Sequence, residues 1–201
     1  MPKENQYNEN GFIPLHGGYQ KLLSYKKAEI IYDGTVYFCR RFFPKYDRTI
    51  DQMVQAARSG KQNIAEASMA SGTSKETEIK LTNVARASLE ELLIDYKDFL
   101  RINHYKEWDK IHPYFKRLSE LNKNPDGNYE SFRKGIENEN PEICANVMIG
   151  LIKVASFLLN RQLKRLEEDF LKEGGLRERM THARLRERNK GKILIIKSSL
   201  L

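Results

Sequence analysis

The residue types that carry most enzymatic and metal chemistry are present, but their spacing assembles no site. A di-iron centre in a helical protein needs two Glu-x-x-His elements on facing helices. Three residues before His16, His104, His112 and His182 stand Ile13, Arg101, Asp109 and Arg179. Only Asp109-x-x-His112 approaches the pattern, with Pro113 beside it, and it reads as a solvated pair. Glu91, Asp95 and Asp98 recur three or four apart among Leu92, Leu93, Tyr96 and Phe99, the outer side of an amphipathic helix. Glu66 is the other carboxylate read as facing inward. Ser59-Gly60 is no nucleophile elbow, no glycine-rich phosphate loop follows a strand, and neither cysteine has an activating motif nearby. Cys39 and Cys144 lie in apolar helical pattern and read as inert buried thiols. The expectation is a protein that is not an enzyme and holds no cofactor or metal.

What remains is positive charge. The 201 residues carry 35 Lys+Arg and 27 Asp+Glu, a net +8. Nine of the basic and three of the acidic residues fall in 171–201, so that stretch holds +6 and the other 170 residues hold +2. Leu176 to Arg188 can be drawn as a helix. At about 100° per residue Arg177, Arg184 and Arg188 share one side, Arg179 and Arg186 the opposite one, with Leu176, Met180 and Ala183 between. Such a helix would dock through its apolar stripe and present guanidinium groups to phosphates. Arg58 and Lys61 frame Ser59-Gly60, and Lys80 and Arg86 join them if the second and third helices are neighbours.

These side chains need elements to hold them. Residues 1–18 read as an irregular arm anchored by Phe12, Ile13 and Leu15. Residues 19–173 carry four long runs of helical periodicity, and 174–201 form a basic extension. The first run ends at Pro44. The second starts at a cap on Asp47 or Thr49 and is crowded with small residues around Gly60, a sign of close packing or of a passing ligand. The third opens on Thr73-Ser74-Lys75-Glu76, a capping box with the hydroxyl of Thr73 three residues before Glu76. It presents Ile79, Val84, Ala87, Leu89, Leu92, Leu93, Tyr96, Phe99 and Leu100 to the core. One short amphipathic helix is expected over 107–121, then a loop at 122–127. The last helix runs from Pro141 to Lys172, with Phe170 on its apolar side, and stops at Gly174-Gly175. Lys192–Lys197 alone has a strand-like pattern. The fold class is all-α: an up-and-down four-helix bundle, one extra short helix between helices 3 and 4, and a basic C-terminal extension. No purely apolar run reaches the roughly 20 residues of a membrane span. With no apolar leader at the N-terminus, the expected location is cytoplasmic, with no membrane partner.

Arg58-Ser59-Gly60-Lys61-Gln62-Asn63-Ile64-Ala65-Glu66-Ala67, the Thr73-Ser74-Lys75-Glu76 cap and Asn83-Val84-Ala85-Arg86-Ala87-Ser88-Leu89-Glu90-Glu91-Leu92 together carry a resemblance. They resemble the small four-helix-bundle proteins of intervening sequences in bacterial large-subunit ribosomal RNA genes. The Lys21-Leu22-Leu23-Ser24-Tyr25 entry and the Lys172-to-Met180 exit are similar to the branch called the four helix bundle suffix domain. The resemblance covers about residues 18–188. It implies a bundle that assembles as a homo-oligomer, a pentamer in the wider family. A related member, the accessory variability determinant of diversity-generating retroelements, binds nucleic acid and a reverse transcriptase.

The expected function is a non-enzymatic oligomeric bundle that binds nucleic acid, RNA in the first place. Its contacts would be Arg58, Lys61, Lys80, Arg86, Arg177, Arg179, Arg184, Arg186 and Arg188. The alternative is a protein-interaction scaffold, or an accessory subunit that recruits a partner enzyme such as a reverse transcriptase.

Overall fold

The computed structural model describes residues 17–198; Phe12, Ile13 and Leu15 of the expected arm lie outside the described residues. Helix α1 spans Leu23–Phe42, entered through a 3-10 turn at Tyr19–Lys21 and left where Phe43 turns extended before Pro44. The carboxylate of Asp47 accepts the Thr49 N–H at 2.9 Å and starts α2, Arg48–Ala70. Helix α3, Lys75–Ile102, is capped by Ser74, whose Oγ accepts the Thr77 N–H at 3.1 Å. The cap therefore sits one residue beyond the expected Thr73. The Thr73 hydroxyl instead donates to Ala70 O, and Glu76 pairs with Lys80.

The expected helix over 107–121 begins only at Pro113. Asp109 Oδ1 accepts the N–H groups of Ile111 and His112 and holds the chain in a turn there. Side-chain acceptors of this kind compete with helical hydrogen bonding. Helix α4 is Pro113–Lys123, with proline in its first turn where no N–H is missed. A second short helix, α5, Tyr129–Ile136, follows an Asn128 cap. Two short helices thus separate the third and last long ones, where one was expected. Helix α6, Pro141–Glu173, is capped by Asn140 and ends at Gly174, whose φ of 68° lies in the left-handed region that glycine tolerates. Helix α7 then runs Leu176–Ser198. It includes 192–197, read from the sequence as strand-like; four aliphatic residues in a row do not distinguish the two periods.

Among the described residues there is no strand. Helix α1 packs on α2, α2 on α3, α3 on α6 and α6 back on α1, while α4 and α5 lie on α6. Gly60 lets α2 and α3 close up: a Cβ there would stand 2.7 Å from Leu89 Cδ2. The small stretch serves close packing between helices. At one end, Phe38 is ringed by Phe42, Phe43, Tyr96 and Phe99, with centroids 4.8–5.9 Å away. Leu118 of α4 seats against Gly150 of α6.

The buried side of α3 is Glu78, Thr82, Ala85, Leu89, Leu92, Leu93, Tyr96 and Leu100. Val84 and Ala87, expected on it, face outward, while Thr82 and Ala85 take the buried positions. Glu66 is exposed rather than inward, and Phe170 is 40 % exposed. The expectation about membrane spans also needs correcting. The helix that begins at Pro141 contains an 18-residue window, mean hydropathy 1.8, apolar enough to cross a membrane by length and composition. Two thirds of that window (67 %) is buried inside the fold, which accounts for its apolar character.

Candidate nucleic-acid interface

The nine basic residues fall into two groups. Arg58 and Lys61 are one turn apart on α2, and Lys80 and Arg86 stand on α3. The first pair does not join the second in one free patch. Lys61 is half-buried and leans towards α1, its ammonium 4.3 Å from the centre of the Tyr32 ring. Lys80 is tied to Glu76 at 2.6 Å, and Arg86 donates through Nε and Nη2 to Asn83 Oδ1. Arg58 is exposed. Glu76 is held below the usual carboxylate range by the hydrogen bond and charge of Lys80.

The second group stands on α7. Gly174 breaks the helix line, and Glu178 accepts the Gly175 N–H at 3.0 Å to restart it. Arg177, Arg184, Arg186 and Arg188 are exposed. Arg179 is partly covered, with Nε and Nη2 buried and unbonded. The predicted stripe is uneven: Leu176 and Ala183 are partly covered while Met180 (39 %) is open. Among the described residues, α7 is not one of the helices in extensive contact with the body of the fold.

No family model, curated protein or solved structure matches the chain. The chemistry must therefore be read from this chain's own side chains. Among the described residues no three His, Cys, Asp or Glu side chains converge as metal ligands. Both thiols are free and buried, and burial pushes each up to about 12. Cys144 donates to Ile136 O at 2.7 Å, and Cys39 lies 3.9 Å from Met53 Sδ. Asp109 is engaged in its turn, and His112 stacks on Trp108 at 4.8 Å with rings 7° from parallel.

Two features were not anticipated from sequence. Lys27 is a core residue, three after Ser24 and four before Ile31 on the buried face of α1; that spacing was the available signal. A cleft of about 350 Å³ opens between α4, α5 and α6, where Trp108, Tyr114, Arg117 and Lys134 line its polar and aromatic rim. Its walls depend on α5, whose eight residues carry too short a period to stand out.

Proposed function

We propose that the chain is a non-enzymatic, cytoplasmic, homo-oligomeric four-helix bundle that binds nucleic acid, RNA in the first place, through the arginines of α7. The long helices α1, α2, α3 and α6 form the bundle, each touching two of the others. The observation that carries the reading is α7. It is a separate helix beyond Gly174, with Arg177, Arg184 and Arg188 exposed on one side and Arg186 on the other. Arginine holds phosphate oxygens with paired N–H groups, and each neutralised phosphate releases a counterion. Arg58 adds a contact from the bundle, whereas Lys61, Lys80 and Arg86 already have internal partners. The motif resemblance supports the same reading, including an oligomeric state of five.

Fluorescence anisotropy with a random-sequence single-stranded RNA tests it. Affinity falls steeply with added salt, and falls again when Arg177, Arg179, Arg184, Arg186 and Arg188 are changed together to Ser. Binding that ignores both changes refutes the tail as the contact. The second reading, a scaffold for a partner protein, draws on the aromatic cleft between α4, α5 and α6 and on Phe157, 59 % exposed in a second cleft between α4 and α6.

A further inference from the structure

The outward side of α3 is written as a seam. At about 100° per residue, Glu76, Lys80, Val84, Ala87, Glu91, Ile94, Asp98, Arg101 and Ile102 fall within a sector of about 100° opposite the buried residues. From Lys80 to Asp98 the steps are four, three, four, three and four, the spacing of a coiled-coil contact line. Val84, Ile94 and Ile102 are 46, 53 and 66 % exposed on it, an unusual cost for β-branched side chains facing solvent.

The ends of this line carry opposite ion pairs. Near the start, Glu76 holds Lys80 at 2.6 Å; near the finish, Asp98 holds Arg101 at 2.8 Å. The charge between them is also divided. Lys80 and Arg86 occupy the first half, and Glu90, Glu91, Asp95 and Asp98 outweigh Lys97 in the second.

We propose that the outer face of α3 joins a second copy of this chain as an antiparallel pair about a two-fold axis, with Val84 on the partner's Ile94 and Lys80 on the partner's Asp98. That register places each seam residue from Lys80 to Asp98 on a suitable counterpart, with Glu76 level with the partner's Ile102 at either end. Ala87 lies under the stem of the partner's Glu91, and Val84 and Ile94 meet twice, once on each side of the axis. At each end Lys80 meets the partner's Asp98 while Glu76 meets the partner's Arg101, so two ion pairs become a ring of four alternating charges. A parallel pairing in register would put Lys80 on Lys80 and Asp98 on Asp98. Antiparallel helices pair unlike seam positions, and a two-fold contact is self-complementary by construction. The inference rests on the oligomeric half of the proposed function and is independent of nucleic-acid binding.

Charge exchange tests it on the full-length protein, by sedimentation and native mass spectrometry. The wild type should form an assembly with an even number of copies: two rings of five joined through this face where the ring of the proposed function forms, and a dimer where it does not. Lys80→Glu and Asp98→Lys should each weaken the contact about tenfold or more, with helicity by circular dichroism unchanged because both side chains lie on the outer face of α3, Lys80 exposed and Asp98 half-exposed. Mixing the two single variants should give a heterodimer, and K80E/D98K together should recover the wild-type assembly. An assembly whose mass and affinity ignore the exchanges, an assembly of odd number only, or a double variant that stays apart overturns the α3 contact and leaves oligomerisation standing. A monomeric wild type overturns both.

Discussion

The ammonium of Lys27 lies 4.4 Å from the centre of the Phe132 ring, 3 % exposed and without a hydrogen-bond acceptor. It joins α1 to α5 through a ring face rather than an anion. Such contacts return part of the cost of removing an ammonium from water. Burial holds Lys27 below its ordinary value of 10.5, so the cost exceeds the return.

Replacing Lys27 with Met keeps the length and removes the charge. Stability at neutral pH should rise by about 1 kcal/mol, as when buried ionic groups give way to apolar ones. The unfolded chain binds the proton more tightly than the folded one, so wild-type stability rises with pH between the folded value and 10.5. The advantage of K27M in urea unfolding should therefore shrink as pH climbs towards 10.5. An advantage constant with pH contradicts the buried-charge account.

Gly60→Ala tests the α2–α3 contact. Helix propensity alone favours the change by about 1 kcal/mol. The new methyl would meet Leu89 at 2.7 Å inside a filled core, and overpacking costs about 1–3 kcal/mol. The net expectation is destabilisation, read by chemical denaturation, and it should diminish in a Leu89→Ala background where the methyl has room.

The thiols give a kinetic test. Held up to about 12, Cys39 and Cys144 should react with a disulfide reagent near pH 8 only as fast as the protein opens, and at once in denaturant. The same shift fixes a stability window: these thiols stay neutral in the fold above their ordinary value of 9.0. Their contribution is complete below pH 9 and is lost as the pH rises towards about 12.

For α7, the five-arginine change to Ser should reduce the dependence of log affinity on log salt by about 0.7 for each phosphate of a single-stranded RNA that is no longer neutralised. The midpoint of thermal unfolding should stay within about 2 °C, since four of the five arginines are exposed and exposed substitutions away from packed features are mostly close to neutral; a larger drop would point to the partly covered Arg179. Calorimetry of the same samples separates weaker binding from an unfolded chain.

Some helix boundaries were legible because a single side chain decides them, although the Asn128 cap of α5 was missed. Asp47 (offered beside Thr49), Pro141 and Gly174 mark their ends because capping, a first-turn proline and left-handed geometry are local chemistry. Thr73 misled because two hydroxyls are adjacent and only packing selects Ser74. The phase of α3 was harder. Val84, Ile94 and Ile102 are apolar on the outside while Glu78 and Thr82 are inside, so the hydrophobic count pointed partly the wrong way. Lys75 explains the buried glutamate, reaching Glu78 at 2.8 Å. At the candidate interface the arginines of α7 could be named from composition. That Lys61 rests on Tyr32 and Lys80 on Glu76 depends on rotamers and neighbours that spacing does not encode.

The stack of Trp108 on His112 gives the molecule a built-in optical marker. The chain has one tryptophan, its backbone N–H bound to Asn146 Oδ1 of α6 at 2.8 Å. Its fluorescence therefore reports one place, the seating of the 103–112 connection on α6. A ligand entering the neighbouring aromatic cleft would change that emission, while one held only by α7 would leave it unaltered, so a single titration in a cuvette tells the two apart.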